Sequence, residues 1–262
     1  MTDMLAVFGT TLFVTFTLML SAWLLATAWS DVSIVDVFWG LGFALIAIFS
    51  WALADGYTAR KLLTVALASV WGFRLAGYLL WRNWGQGEDY RYQAMRRRHG
   101  ERFSVVSLYS VFGLQGLLMW IVSLPVQVAA MAPTPARLTW LDGLGVALWT
   151  VGLFFEAVGD WQLARFKSHP GNRGKVMDRG LWRYTRHPNY FGDTCVWWGL
   201  FCVALATSAG LFVIVSPVLM TILLMRVSGV PLLERRLNKT RPEYAAYARR
   251  TSAFFPWFPK RR

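Results

Sequence analysis

Residues 5–28 read LAVFGTTLFVTFTLMLSAWLLATA, a run without a charged side chain. A helix that crosses a bilayer needs about 20 predominantly apolar residues, and this run is long enough. No basic segment precedes it and further apolar runs follow it, so we expect a retained helix rather than a cleaved signal peptide. The run therefore indicates an integral membrane protein.

The rest of the chain repeats this pattern, with prolines and polar residues between the apolar runs. Only 16% of its 262 residues are charged, compared with about a quarter in a typical soluble domain. We predict an all-α, polytopic membrane protein in which residues 1–262 form a single domain. Its seven transmembrane helices are expected at about 5–28, 34–54, 60–80, 105–131, 140–165, 188–207 and 210–231.

The basic residues predict an orientation for these helices. Most of the 27 lysine and arginine residues lie at 82–102, at 165–186 and in the tail after residue 234. With seven spans these segments share one face, which the positive-inside rule makes cytoplasmic. The carboxyl terminus is then cytoplasmic and the amino terminus lies outside. The same rule and attraction to anionic lipid explain the net charge of +13, so we expect no nucleic-acid partner.

Neither a disulfide framework nor a metal site is expected. Cys195 and Cys202 lie on one apolar stretch, which suits two small packing residues. The three histidines, His99, His169 and His187, do not stand at metal-ligand spacing from a cysteine or from one another.

The ionisable residues inside the predicted spans, where a charge is costly, include Asp36, Arg74, Glu156, Asp160 and Arg226. Asp36 is either a helix-start carboxylate favoured by the helix dipole or a functional group, and both interpretations stay open.

Glu156, Asp160 and Lys167 stand at i, i+4 and i+11, and therefore on one face of a helix that leads into the basic segment at 165–186. This polar stripe either lines a ligand site or forms an internal lattice of ion pairs.

The segment at 180–193 reads GLWRYTRHPNYFGD and is dense in hydrogen-bond donors. Pro188 suits the first turn of a helix. Arg186 and His187 then lie at the positive end of that helix, where a phosphate can bind.

This segment resembles the carboxyl-terminal signature of the steroid 5α-reductase superfamily, which includes membrane enoyl-CoA and sterol reductases. The whole chain resembles the bacterial branch of that superfamily, whose substrate is unknown. The other matching pieces are SIVD at 33–36 with WG at 39–40, WGFRL at 71–75, EDYRY at 88–92, DWQL at 160–163, PLLE at 231–234 and RPEYAAY at 241–247.

The resemblance implies a seven-helix fold that holds NADPH in a cavity open to the cytoplasm, in a bacterial inner membrane. The best-matched cofactor-binding half is 140–262. The residues expected at the cofactor are Arg91, Glu156, Asp160, Lys167, Lys175, Tyr184, Arg186, His187, Asn189, Tyr190, Asp193, Arg226 and Glu234.

The implied reaction transfers a hydride to the activated C=C bond of a lipophilic enone-like substrate, such as a steroid, a sterol or another lipid. It needs a hydrogen-bonding group at the carbonyl oxygen, where negative charge develops. Asp36 aligns with the family's glutamate and Trp71 with its tyrosine, so these two are the expected catalytic residues. An indole lacks the acidity of a phenol, and this departure argues against a steroid substrate.

Two other functions remain open. Isoprenylcysteine carboxyl methyltransferases and phospholipid methyltransferases carry a similar Arg-His-Pro-x-Tyr core, so the alternative is an S-adenosylmethionine-dependent lipid or prenylcysteine methyltransferase. The arginine-rich segment at 82–102 and the stretch at 160–175 favour the reductase. A transporter or a lipid-binding protein is the third possibility, but the sequence has no pair of broken, inverted half-helices.

Overall fold

The structure, a computed structural model, describes residues 4–227 and 229–260. Within this part, 80% of the chain is helical and no strand occurs, which confirms the all-α prediction. The α-helices are α1 Met4–Trp29, α2 Val35–Leu53, α3 Thr58–Asn83, α4 Tyr90–His99, α5 Phe103–Ser107, α6 Leu114–Val122, α7 Leu124–Met131, α8 Trp140–Ser168, α9 Pro188–Leu205, α10 Val215–Ile222, α11 Val230–Thr240 and α12 Tyr244–Arg250. Two π-helical segments, Leu108–Gly113 and Leu223–Val227, interrupt this series.

Helical stretches in the described residues are long and apolar enough to cross a membrane at six places. They are Met4–Trp29, Val32–Leu53, Thr58–Asn83, Tyr90–Val122, Trp140–Ser168 and Gly210–Thr240. The chain is therefore a multi-pass membrane protein. The fourth stretch begins earlier than predicted, because the Asp89 side chain accepts a hydrogen bond from the backbone N–H of Arg91 and caps α4 inside the charged segment.

The predicted span at 188–207 is a helix, but it is not among these six. Helix α9 has 18 residues, which corresponds to about 27 Å at 1.5 Å per residue. Its first half carries Asn189, Asp193 and Thr194, so its hydropathy is lower than that of the other spans. The seven-span topology, and the orientation that depends on it, stay predictions.

The chain divides into two compact units. The first comprises Met1–Asp142 and Cys202–Ser216, and the second comprises Gly143–Phe201 and Pro217–Arg262.

In the first unit, α2 and α3 meet backbone to backbone at Gly40 and Gly72. A Cβ atom on either glycine would lie 2.5 Å from the carbonyl oxygen of the other. Small residues at helix contacts are the usual way to pack spans closely in lipid, where the hydrophobic effect does not drive helices together. Aromatic rings fill the space beside this contact, with the Phe43 ring 5.3 Å from Trp39 and 5.4 Å from Trp71.

Arg60 is fully buried in the first unit. Its Nε donates to Asp142 Oδ1 at 2.9 Å and its Nη2 to Asp142 Oδ2 at 3.1 Å. The remaining donors reach the carbonyls of Pro135 and Arg137. Since a buried charge is tolerated only when it is paired and hydrogen-bonded, this ion pair fixes the start of α3 to the first turn of α8.

In the second unit, α8 and α9 pack as an antiparallel pair along a glycine seam. A Cβ on Gly152 would lie 2.5 Å from Gly192 O, and a Cβ on Gly199 would lie 2.6 Å from Gly145 O. From the first contact to the second, the residue number rises by seven on α9 and falls by seven on α8, as expected for antiparallel helices. The two backbones therefore touch over two turns.

Gly152→Ala should destabilise the protein, because its methyl group must push the backbone of α9 away. We expect a cost of about 1–3 kcal/mol from overpacking, reduced by the roughly 0.5–1 kcal/mol that alanine gains over glycine in a helix. Thermal unfolding in detergent measures the change. Gly143→Ala is the matched control on α8, since a Cβ there has no atom within 4 Å. Equal melting temperatures for the two variants would contradict the glycine seam.

The crossing of α9 can be tested by cysteine accessibility. In a variant with Cys195 and Cys202 replaced by alanine, single cysteines at Gly171 and Ser208 flank this helix at exposed positions. If α9 crosses the bilayer, a membrane-impermeant maleimide labels position 208 in intact cells and position 171 only after lysis. Labelling of both positions from one side would rule out the seven-span topology.

Candidate functional site

The first polar cluster lies in the first unit, where residues 31–36 meet residues 88–96. Ser33 Oγ accepts a hydrogen bond from the Asp89 backbone N–H at 2.6 Å. Glu88 Oε1 accepts one from the Val32 backbone N–H at 3.0 Å. The structure therefore brings together two motif pieces, SIVD and EDYRY, that are more than fifty residues apart in the sequence.

Asp36 lies in the first turn of α2 and faces a cation within this cluster. Arg91 Nη2 is 3.9 Å from Asp36 Oδ2, and Arg91 Nε donates to Asp89 Oδ1 at 2.9 Å. The Asp36 side chain keeps 24% of its surface exposed. Of the expected catalytic and cofactor residues, Asp36 and Arg91 are thus neighbours, and Asp36 has a role beyond that of a helix-start carboxylate, as half of an ion pair.

A phenol that sequence reasoning did not select belongs to the same cluster. Tyr92 is buried, with 7% of its surface exposed. Its hydroxyl accepts a hydrogen bond from Gln115 Nε2 at 3.4 Å, and its ring lies 5.5 Å from the Arg91 guanidinium carbon. The Asp36 carboxylate acts on it electrostatically. The signal in the sequence was the EDYRY piece, but neither Tyr90 nor Tyr92 stands out there without the fold.

Glu88 and Arg96 link this cluster to the neighbouring backbone by hydrogen bonds. Arg96 donates to both carboxylate oxygens of Glu88, at 3.0 and 2.8 Å, and to the carbonyl of Ser30 at 3.1 Å. Burial alone would raise the pKa of the Glu88 carboxyl. The hydrogen bonds from Arg96 and from the Val32 N–H outweigh burial, so the pKa of Glu88 lies below its ordinary value.

Trp71, the second expected catalytic residue, occupies a packing position. Its side chain is fully buried, beside Phe43 and next to the Gly40–Gly72 contact. Its place is explained by the close approach of α2 and α3.

The second polar cluster lies in the second unit and joins Arg186, His187 and Glu234. Arg186 donates to Glu234 through Nε at 2.8 Å and through Nη2 at 3.2 Å. His187 Nε2 is 3.0 Å from the same Glu234 Oε1. Arg186 and His187, from one motif, therefore share the carboxylate of Glu234, from a distant one. All three are expected cofactor residues.

Arg186 is satisfied by protein groups on all sides. Its Nη1 donates to the carbonyls of Ala248 and Thr251, at 2.9 and 2.8 Å. Burial would lower the pKa of Arg186, but the bonds and the charge of Glu234 prevail and raise it. The guanidinium thus holds α11 and the chain after α12 against the segment that precedes α9. Its expected contact with a phosphate stays a prediction and would require exchange of one of these bonds.

His187 is fully buried, and its ring nitrogen Nε2 is hydrogen-bonded to Glu234. Its ring stacks on Tyr190 with 5.3 Å between centroids and 9° between planes. Nδ1 is buried without a hydrogen-bond partner among the described residues. Such an atom retains the capacity for one more hydrogen bond, as acceptor or donor according to the tautomer.

The polar stripe of α8 meets the signature at the start of α9. Asn189 Nδ2 donates to Asp160 Oδ1 at 3.4 Å. A Cβ on Gly192 would lie 2.9 Å from Glu156 Cγ, so Glu156 packs against the next turn of α9. Glu156, Asp160 and Asp193 are all at least nine-tenths buried. The carboxylates of the stripe therefore meet the signature, and both interpretations of the stripe, a ligand site or a lattice of ion pairs, stay predictions.

Lys167 and Lys175, the lysines expected at the cofactor, follow the buried carboxylates in the sequence and are exposed. Lys175 lines a surface groove of about 180 Å³ together with Arg179, Glu243 and the Arg250–Asp178 ion pair. Arg226 is exposed on the π-helical segment that follows α10. Tyr184 is partly exposed, and its carbonyl accepts a hydrogen bond from the Trp257 N–H at 2.9 Å.

The Glu88–Arg96 pair should make stability depend on pH in the acidic range. Because the folded pKa of Glu88 lies below the ordinary 4.5, the unfolded chain takes up the proton first as pH falls. The stabilisation is complete above about pH 4.5 and is lost as pH falls through the folded pKa. The melting temperature in detergent should therefore drop more steeply for the wild type than for Glu88→Gln, by about 2–4 °C for each kcal/mol lost.

The control for this experiment is Glu101→Gln, which neutralises an exposed carboxyl at the start of α5. It should keep the slope of the wild type. An unchanged slope in Glu88→Gln would show that the ion pair does not contribute.

Comparisons with known proteins place the chain in a family. A family model described as a protein of unknown function, DUF1295, matches residues 22–251 and so includes both polar clusters. Neither the curated proteins nor the solved structures gave a match. The chain therefore belongs to the DUF1295 family of proteins of unknown function, which is related to the steroid 5α-reductase-like proteins.

Proposed function

We propose that the chain is an NADPH-dependent membrane reductase that acts on the activated C=C bond of a lipophilic, enone-like substrate. The observation that carries the proposal is the contact between Asn189 and Asp160, at the point where the signature meets the buried carboxylates of α8. The kinship with steroid 5α-reductase-like proteins supports it. The proposed setting is a seven-helix fold in a bacterial inner membrane, with the site open to the cytoplasm.

The residues of the second unit fit a dinucleotide by their chemistry. Asn189 and Asp160 offer an amide donor beside a carboxylate acceptor, which is the complement of a carboxamide. Lys167 and Lys175 are exposed on the chain that follows and could neutralise phosphates. His187 Nδ1, buried and without a partner among the described residues, has one hydrogen bond left to make. NADPH would supply the hydride, which no side chain can provide.

The reaction also needs a group that stabilises charge on the substrate's carbonyl oxygen. Asp36 is the proposed catalytic carboxyl: in its protonated form it would donate a hydrogen bond to that oxygen, and Arg91 lies 3.9 Å from the carboxyl. An indole N–H is less acidic than a phenol, so the hydroxyl of Tyr92 is a better donor than the indole of Trp71. A phenol can hydrogen-bond an oxygen as charge develops on it, and Gln115 holds this one in position.

Cofactor binding is the first test of the proposal. In detergent, the tryptophan fluorescence of the wild type should be quenched saturably by NADPH, by energy transfer to the nicotinamide. Asn189→Ala should weaken this binding at least about tenfold, since it removes a hydrogen bond at the centre of the site. Asn238→Ala is the control, because Asn238 is an exposed amide on α11 of the same unit. Tight NADPH binding by the Asn189 variant would refute the site.

The same titration separates the proposed reductase from the methyltransferase. Saturation by S-adenosylmethionine, with no response to NADPH or NADH, would move the chain to the methyltransferase branch. In that case Asp36 would be an ion-pair residue of the first unit and not a catalytic group.

The role of Asp36 is tested by turnover, followed as NADPH oxidation with a panel of unsaturated lipids. Asp36→Asn should keep the affinity for NADPH and lose at least about a hundredfold in turnover, the usual contribution of one positioned acid or hydrogen-bond donor. Tyr92→Phe should act in the same way if its hydroxyl takes part. Asp55→Asn, at an exposed carboxyl before α3, should leave turnover unchanged.

A further inference from the structure

The chain after α12 presents an aromatic patch at a place where no membrane-spanning stretch explains it. The exposed fractions of Phe255, Trp257 and Phe258 are 66%, 73% and 77%. Most other large exposed apolar side chains lie on the six apolar helical stretches, where lipid covers them. This patch lies on non-helical chain beyond the last of those stretches.

The patch is held by an ordered backbone. The Trp257 N–H donates to Tyr184 O and the Lys260 N–H to Arg250 O, both at 2.9 Å. Thr185 Oγ1 donates to Phe254 O at 2.8 Å. Pro256 and Pro259 have fixed φ angles and no N–H to satisfy, which stiffens the segment further. The aromatic faces are therefore displayed in a fixed position.

The sequence around the patch carries charge of one sign. No acidic residue follows Glu243 in the sequence, whereas Arg249, Lys260, Arg261 and Arg262 do. Tryptophan and phenylalanine beside a cluster of basic residues match the two layers of a membrane interface, the acyl boundary and the phosphates.

We propose that Phe255, Trp257 and Phe258 form an interfacial anchor, which inserts between the headgroups of the membrane that the chain crosses. Arg249 and Lys260 would then face the phosphates of anionic lipids. The membrane is favoured over a protein partner because the last apolar stretch ends at Thr240, so the patch is tethered close to the bilayer surface. This inference does not depend on the proposed reductase activity.

The anchor has a consequence for the second polar cluster. The chain that follows α11 supplies the carbonyls of Ala248 and Thr251 to Arg186, and that of Ser252 to the Arg186 backbone N–H. Lipid that holds the anchor therefore also holds the acceptors that fix Arg186 and the start of the signature helix.

The test places a fluorescent reporter on the patch of the full-length protein. In the variant without native cysteines, Trp257→Cys and Phe258→Cys are each labelled with a polarity-sensitive NBD dye. Gly171→Cys is the control, since it is exposed in the same unit and a side chain there meets no atom within 4 Å. Each protein is reconstituted in nanodiscs of phosphatidylcholine, with and without phosphatidylglycerol.

With phosphatidylglycerol, the labels at 257 and 258 should emit at shorter wavelength, resist quenching by aqueous iodide and be quenched by headgroup spin-labelled lipid. The label at 171 should remain open to iodide. Iodide quenching at 257 and 258 as strong as at 171 would overturn the proposal. Protection from iodide without quenching by the spin-labelled lipid would indicate a protein contact and would overturn it as well.

Discussion

Backbone contact between α8 and α9 determines the rest of the second unit. Because Gly152 and Gly192 lack side chains, the two helices approach until each carbonyl would obstruct a Cβ on the other. The register set by this contact places Glu156 against Gly192 and Asp160 beside Asn189. A one-residue slip would rotate the carboxylates away from the signature, so the polar meeting point exists only because small residues hold the register.

Three arginines make the same kind of contact at three places in the fold. Arg60, Arg96 and Arg186 each grip both oxygens of one carboxylate, from Asp142, Glu88 and Glu234 respectively. Each also donates to a backbone carbonyl of chain just outside a helix, at Pro135, Ser30 and Thr251 respectively. The planar guanidinium of arginine suits this role, since one side chain can pair with a carboxylate and also donate hydrogen bonds to backbone carbonyls. Arg96 and Arg186 lie in basic segments that the positive-inside rule explains, so such residues can also hold the fold together internally.

The sequence predicts the apolar helices well, since long uncharged runs have few alternatives in a bilayer. It is less informative for α9, where polar residues of the signature lower the apolar character of a short helix. Glu156, Asp160 and Asn189 could be grouped from helical spacing and motif. The sharing of Glu234 by Arg186 and His187 could not, because it depends on how the last helix returns to the signature. Trp71 and Tyr92 show the same limit, because the sequence does not reveal that both rings are buried in the first unit.

The π-helical segment Leu108–Gly113 affects how the first unit would respond to the loss of one residue. It separates α4, which carries Tyr92, from α6, which carries Gln115, and these two side chains are hydrogen-bonded across it. A π-turn closes one full helical turn with one residue more than an α-turn. Deletion of a single residue here would turn the π-turn into an α-turn of the same rotation, so the helix would stay continuous and Gln115 would still face Tyr92. Relatives with a segment one residue shorter would therefore keep both the span and this hydrogen bond.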